Sequence, residues 1–334
     1  MVENMEKSMK RLLIYSFYDN DGIVDDYVPY FLEKFKPFCE EICTVVNGSL
    51  TDDSRKKLEE NSSVVLEREN VGFDSAAFKF VIEHLGYEKL QEYDELILAN
   101  STMFGPIFSP AELFDEMGKR DCDFWGITKH PEINLYKAGV KVCEHIQSYF
   151  LVFNKKILAS DAFKEFWTTL QIASNYDEAI AFFELRLTKF FEDKGFNSDC
   201  YVNSEKYFEK INGQPYFYYI FQQVKEDRMP FIKRKIFYVG GKITNRLDGG
   251  SAQLINYIQD NTDYDVNLIM QNVYRTGLSK ISEAKIIKEL IRFFISKFLY
   301  IKKQKRRHYL DKEIAAREML YYKRKYKNLF ENSK

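Results

Sequence analysis

Apolar and polar positions alternate along the first 200 residues in blocks that read strand, helix, strand, helix. "RLLIYSFYD" (11–19) is a compact apolar run and predicts a first strand. "VDDYVPYFLEKFKPFC" follows with Val28, Phe31, Leu32 and Phe35 on one helical face. "EICTVVNG" (41–48) predicts a second strand closed by Asn-Gly, and "DDSRKKLEEN" a short charged helix. "SSVVLEREN" (62–70) predicts a third strand. "GFDSAAFKFVIEHLG" (72–86) predicts a helix opened by Asp74 or Ser75 and closed by Gly86. "DELILAN" predicts a fourth strand, "PAELFDEMGKR" a helix with Pro at its start, "CDFWGIT" (122–128) a fifth strand and "SYFLVFN" (148–154) a sixth. "AFKEFWTTL" and "DEAIAFFELRLTKFFEDKG" (177–195) have helical spacing. The alternation predicts an α/β fold, a mostly parallel sheet with helices on both faces. Beyond about residue 215 the pattern is mixed, with "MPFIKRKIFY" a loop and short strand. From about 280 to 331 it becomes a long helical stretch, so the division is residues 1–275 as the α/β domain and 276–334 as a basic amphipathic helical extension.

Charge sharpens that division. The net charge of the 334 residues is only −1, yet residues 275–334 carry 18 Lys and Arg against 6 Asp and Glu. An acidic body with a basic tail points to a tail that meets an anionic surface. "KKQKRR" (302–307) and "YYKRKYK" (321–327), beside an apolar face of Ile286, Ile287, Leu290, Phe293, Phe294, Phe298 and Leu299, fit a membrane surface or a homodimer of paired helices. The acidic body and the lack of any nucleic-acid motif argue against a nucleic-acid partner. Five scattered Cys without CxxC spacing, no leader-like apolar stretch and no long apolar run are the expectations for a cytoplasmic protein, peripheral on the inner face of the plasma membrane. The 23 Tyr and 29 Phe serve either core filling or a sugar-binding surface.

Ligands in open α/β sheets bind beyond the carboxyl ends of the strands. The expected tips are rich in functional groups: Ser16, Phe17, Tyr18 and Asp19 after the first strand; Gly72 and Asp74 after the third; Asn100, Ser101 and Thr102 after the fourth; Lys129 and His130 after the fifth; His145, Gln147 and Ser148 before the sixth. Neither GxGxxG nor GxxxxGK[ST] is present, which removes two familiar phosphate cradles. GxSxG and HExxH are absent too, so esterase and zinc-hydrolase readings are weak.

Several stretches, in order, resemble the rhamnan synthesis protein F (RgpF) family: "ERENVGFDSAAFK" (67–79), "YDELILANSTMFGPIF" (93–108), "DFWGIT" (123–128), "HIQSYFLVFNKKILASDAFKEFW" (145–167), "ELRLTKFFEDKGF" (184–196) and, more loosely, "MPFIKRKIF" (229–237). The resemblance implies a GT-A-like, Rossmann-related glycosyltransferase of bacterial cell-wall or capsular polysaccharide. It would use a nucleotide-sugar, dTDP-L-rhamnose being favoured, and a lipid-linked glycan acceptor, with inversion. Another donor, a hexose or galactofuranose, stays open, as does a non-catalytic nucleotide-sugar-binding subunit.

The resemblance also assigns roles. Ser16, Tyr18, Asp19, Asp74, Asn100, Ser101 and Thr102 would bind the donor; His145, Gln147, Lys129 and His130 would orient the sugar or acceptor; Glu184 would be the base. Partial burial beside Phe182 and Phe183 is expected to raise the pKa of Glu184, and an ion pair with Arg186 or a nearby Lys is its plainer reading. A Mg²⁺ or Mn²⁺ ion would sit at Asn100 and Ser101, where the family pattern Asn-Asp-Ser reads Asn-Ser-Thr. Asn and Ser offer only neutral oxygens. Three outcomes therefore stay open: phosphate binding without a metal, recruitment of a carboxylate such as Asp74 or Asp19, or a site without turnover.

Overall fold

The computed structural model describes residues 9–135, 140–208, 215–239 and 250–278. Those up to Arg275 belong to one compact unit. The expected helical extension lies, beyond residue 278, outside the described residues, with its two basic clusters and its apolar face.

The centre of the fold is an eight-stranded sheet. Its strands are β1 (Arg11–Phe17), β2 (Glu41–Asn47), β3 (Val64–Arg68), β4 (Glu95–Asn100), β6 (Phe124–His130), β9 (His145–Ile146), β10 (Phe150–Asn154) and β11 (Ser198–Val202). The order is β11-β6-β10-β4-β1-β2-β3, with β9 on β6. Strands β3, β2, β1 and β4 run parallel, as do β11 and β6; β10 enters antiparallel between β4 and β6. The fold is thus α/β with a mostly parallel mixed sheet. Two short pairs lie apart: β5 (Met103–Phe104) with β12 (Ile232–Lys233), and β7 (Ile133–Leu135) with β8 (Val140–Val142).

A strand buried on both faces reads as a continuous apolar run, and β1 shows why. Leu13, Tyr15 and Phe17 enter one core with Val28, Phe31, Leu32 and Phe35 of helix Tyr27–Phe35. Leu12 and Ile14 enter a second core with Phe78, Val81 and Ile82 of helix Phe73–Leu85 and with Phe163, Phe166 and Trp167 of helix Asp161–Thr169. Each fully buried side chain of this size contributes about 2 kcal/mol. Aromatics fill much of the first core: Phe35 stacks on Phe31 and Phe231, and Phe150 lies tilted against Phe35 and Phe231.

The chain steps outward from β1 to β2 and β3, then returns through helix Phe73–Leu85 to place β4 on the other side of β1. The strand order therefore reverses between β1 and β4, and such a reversal opens a crevice at the carboxyl ends. Ser16 pairs in register with Asn100 at that end.

Three local expectations differ from the structure. Gly72, not Asp74 or Ser75, precedes the third helix, and its φ of 78° leads into Phe73 at φ 58°. The single helix expected over 177–195 is Tyr176–Ala179, a π turn at Ile180–Glu184 and Leu185–Asp193, which rotates Glu184 relative to regular helical spacing. Ser198–Val202 is an additional edge strand, too short and polar to show as a run.

Gly105 holds the turn after β5. Its φ is 133°, and a Cβ there would come within 2.5 Å of the Pro230 carbonyl oxygen and 2.8 Å of Phe231 Cδ1. Only glycine fits both the dihedral and the approach. Gly105→Ala is expected to cost about 1–3 kcal/mol of stability in chemical denaturation; a loss below about 0.5 kcal/mol would contradict this packing.

Candidate functional site

The polar triplet after β4 is a set of interlocked hydrogen bonds. Asn100 Oδ1 accepts from the Thr102 backbone N–H at 3.2 Å and from Thr102 Oγ1 at 2.5 Å. Asn100 Nδ2 donates to Asp74 Oδ2 at 2.9 Å, and Ser16 Oγ donates to Asp74 Oδ1 at 2.7 Å. The Ser101 N–H donates to the Ser16 carbonyl at 2.9 Å, and the Tyr18 N–H reaches Ser101 Oγ at 3.4 Å. A buried strand end needs such partners for its side-chain polar groups. Helix Phe73–Leu85 delivers Asp74 because Gly72 starts its first turn in the left-handed region; a Cβ on Gly72 would meet Ala76 Cβ at 2.6 Å. Burial pushes the Asp74 carboxyl up against the pull of Ser16 and Asn100, leaving it at about 6.

A cleft of about 460 Å³ opens over this network, and its lining includes Asp74, Asn100, Thr102, Gln147, Ser148 and Glu184. Exposed Phe73 and Tyr176 meet edge to face at 6.5 Å beside it. Glu184 Oε2 accepts from the Ser148 backbone N–H at 2.9 Å and from Ser148 Oγ at 2.6 Å, and its Oε1 lies 3.7 Å from His145 Nε2. Burial pushes the Glu184 carboxyl up, but His145, Lys233 and Ser148 outweigh it and hold it at about 2. The expected upward shift is thereby corrected: the desolvation is present, and neighbouring positive charge and donors reverse it. Arg186 is not its partner; that guanidinium donates to Thr169 Oγ1 at 2.7 Å and covers Phe166 and Phe190.

The third contribution to the cleft is Lys233, Arg234 and Lys235, from the stretch expected only as loop and short strand. Strand β12 pairs antiparallel with β5, Ile232 opposite Phe104 and Lys233 opposite Met103. The Arg234 N–H then donates to the Thr102 carbonyl at 2.9 Å. Arg234 Nη1 donates to the Ser101 carbonyl at 3.0 Å and to Tyr27 Oη at 2.8 Å. Lys233 Nζ stands 4.4 Å from the Tyr149 ring centre and 4.8 Å from that of Tyr216; Lys235 Nζ lies 5.1 Å from the same Tyr216 ring. Burial lowers the Lys233 ammonium to about 8; Glu184 opposes the shift and Lys235 adds to it.

The other expected site residues scatter. Gln147 lines the cleft, fixed by Thr128 Oγ1, which donates to its Oε1 at 2.8 Å. His145 is buried behind Glu184, with Nδ1 2.9 Å from the Cys143 carbonyl oxygen and its ring stacked on His130 at 5.1 Å. His130 Nδ1 contacts the Pro131 carbonyl oxygen at 2.8 Å, and burial lowers its pKa. Lys129 pairs with Glu144 at 3.3 Å and lines a separate depression with Arg120 and Asp199. Tyr18 is exposed, and Phe17 lies in the core. Asp19 caps its own turn through the Asp21 and Ile23 N–H groups and takes Arg275 Nη2 at 2.6 Å. Desolvation opposes that carboxylate, yet Arg275 and these N–H groups lower its pKa.

These engagements decide what the strand tip can hold. Mg²⁺ and Mn²⁺ favour carboxylate and phosphate oxygens in a near-octahedral shell. Both Asp74 oxygens already accept hydrogen bonds, the Asn100 carbonyl oxygen serves Thr102, and Asp19 is committed to Arg275. No cluster of three or more His, Cys, Asp or Glu among the described residues could hold a metal ion. The residues expected at the metal position, Asn100 and Ser101, do not fit a divalent cation.

The rhamnan synthesis protein F (RgpF) family model matches residues 42–333. The chain belongs to the RgpF family. Membership supports a glycosyltransferase reading. An uncharacterised protein, y4gN, of Sinorhizobium fredii is 24% identical over 155 residues, which is 46% of this chain and 39% of that protein. The RgpF chain thus aligns with well under half the length of this curated relative. Among solved structures, a cytidylyltransferase from Leptospira borgpetersenii is 10% identical with a TM-score of 0.38, covering 78% of this chain and 97% of that one. A glucosyl-3-phosphoglycerate synthase from Mycobacterium tuberculosis, solved with Mn²⁺, UDP-glucose and phosphoglyceric acid, is 12% identical with a TM-score of 0.36, covering 58% and 70%. At these scores the structural likenesses carry no functional conclusion. Among the described residues no helix is long and apolar enough to cross a membrane.

The Asp74 shift has a measurable consequence. The unfolded chain releases this proton near pH 4, the folded chain near pH 6. Between the two the folded state binds the extra proton, so stability falls as pH rises. The melting temperature of the wild type minus that of Asp74→Asn is expected to drop from pH 4 to pH 6. A difference that stays flat across the window would contradict the assignment.

Proposed function

We propose that this RgpF protein is an inverting glycosyltransferase that takes a nucleotide-sugar, with dTDP-L-rhamnose favoured, and transfers the sugar to a lipid-linked polysaccharide. The observation that carries the reading is the convergence, in one cleft at the β1/β4 reversal, of Asn100 and Thr102, two carboxylates of opposite pKa shift and the basic run Lys233, Arg234 and Lys235. The rhamnosyl donor is supported by the family's description, rhamnan synthesis. The basic stretch 275–334 supports an acceptor presented at an anionic membrane surface.

In this reading the acceptor oxygen bonds to the anomeric carbon while the bond from that carbon to the diphosphate oxygen breaks. The electron pair leaves with the nucleoside diphosphate, and the acceptor hydroxyl proton passes to Glu184. A carboxylate at about 2 is a poor proton acceptor near neutrality. Lys233 is one of the groups that hold it there, so an anionic diphosphate beside Lys233 offsets that charge and raises the Glu184 pKa in the donor complex. Asp74, tied to Ser16 and Asn100, holds the nucleoside or sugar, and Gln147 orients the sugar or acceptor. Phe73 and Tyr176 offer exposed rings at the mouth for stacking on the sugar or base.

The low pKa of Glu184 in the free protein also favours a second reading, a subunit that binds nucleotide-sugar without turning it over. One comparison separates the two. Glu184→Gln is expected to keep dTDP-rhamnose affinity within about threefold and to lower transfer to acceptor by about 10²–10⁴-fold. Binding with no transfer by the wild type under any acceptor condition, and no effect of the substitution, would leave the binding subunit.

A further inference from the structure

We infer that Lys233 at the end of β12 and Lys235 at the start of the helix Lys235–Val239, the two residues flanking the anchored Arg234, form the diphosphate-binding element of the cleft and take the place of a divalent cation. The inference rests on the nucleotide-sugar reading above and says how that ligand's charge is held. Its first support is a mismatch of donors. The oxygens of Asp74, Asn100 and Asp19 each already accept hydrogen bonds, from Ser16, Asn100 Nδ2, Thr102 and Arg275, so no set of free carboxylates among the described residues converges on the tip. The residues of the β4 tip itself, Asn100, Ser101 and Thr102, present only neutral oxygens, which are poor ligands for Mg²⁺.

The second support is positional. β12 lies against β5, which follows the triplet directly, so the register that pairs Lys233 with Met103 puts three consecutive basic residues at the same strand end. Arg234 is the fixed member: it donates to the Ser101 carbonyl, to Tyr27 Oη and, through Nε, to Asn272 Oδ1 at 3.1 Å. This clamps the backbone of its two neighbours. Lys233 and Lys235 both lie against the Tyr216 ring, two ammonium groups within about 5 Å of one ring centre. Lys235 adds to the lowering of the Lys233 pKa, the sign of repulsion between the two ammonium groups, and an anion between them relieves it. The described lining of the cleft carries Lys233, Arg234 and Lys235 against Asp74 and Glu184.

The third support is the chemistry of departure. When the anomeric bond breaks, negative charge grows on the diphosphate oxygen, and preorganised cations beside it stabilise it without reorganising. Lysine ammonium groups suit this, being compact donors with three N–H bonds each.

The test is calorimetric titration of the full chain with dTDP and, separately, with inorganic pyrophosphate, in EDTA and then in Mg²⁺ or Mn²⁺. The expected result is dTDP binding in EDTA within about threefold of its affinity with metal. Lys233→Met and Lys235→Gln are each expected to weaken it about tenfold or more under both conditions, while Lys233→Arg restores most of the loss. Should Lys233→Met fail to fold by circular dichroism, Lys235→Gln, at a half-buried position, decides alone. Binding that appears only when metal is added overturns the inference but leaves the nucleotide-sugar reading standing. So do folded variants that bind dTDP as tightly as the wild type. Pyrophosphate that binds in EDTA and is lost in Lys235→Gln, with no nucleoside diphosphate binding, keeps the cationic site and removes the nucleotide-sugar reading. Failure of both probes to bind removes both.

Discussion

Two register pairs, Ile232 with Phe104 and Lys233 with Met103, decide what kind of cleft this protein has. Without them the end of β4 would be a polar strand tip closed by Gly-Pro. With them, a basic run from 130 residues further along the chain stands beside the triplet, and the Pro230 carbonyl receives the Ile107 N–H at 2.8 Å. The tight approach of Pro230 to Gly105 is what keeps the two segments in register. Fold and chemistry therefore share one constraint: the same short pairing that seats Phe231 in the aromatic core delivers Lys233 to the cleft.

The electrostatics of the cleft follow from that delivery. Asp74 sits on the β1/β4 side, partly buried and served by neutral donors, and its carboxyl rises to about 6. Glu184 is also substantially buried, but it faces His145 and Lys233 and falls to about 2. Two carboxylates in one cleft are driven apart by what surrounds them, a pattern that separates acid–base roles in enzyme sites. The π turn at Ile180–Glu184 and the left-handed Gly72–Phe73 pair set where each carboxylate points. Both are local departures from regular helix, and both lie at the cleft, where such departures tend to be retained for function.

Much of the sheet was legible because buried parallel strands leave continuous apolar runs, as in Leu12–Tyr15 and Leu96–Ala99. The polar tips were legible as well: Ser16, Asp74, Asn100, Thr102, Gln147 and Glu184 do converge on one network or its lining. Others do not. Asp19 closes a turn and holds Arg275, and Lys129 joins a different depression, because a tip residue's side chain follows its local turn rather than the strand axis. The pKa of Glu184 could not be read from Phe182 and Phe183, since its controlling neighbours, His145, Ser148 and Lys233, come from distant segments. The basic trio was visible as three consecutive cations in an apolar setting, but its pairing partner lies 130 residues away, and no periodicity encodes that contact.

The most direct test is a crystal structure of the full chain with a nucleoside diphosphate bound in the absence of divalent cations. The account predicts both phosphoryl groups at the carboxyl end of β4, within hydrogen-bond reach of Lys233 or Lys235 and adjacent to Thr102. Phosphates lodged elsewhere, or density that forms only around a metal ion ligated by Asp74, would contradict it.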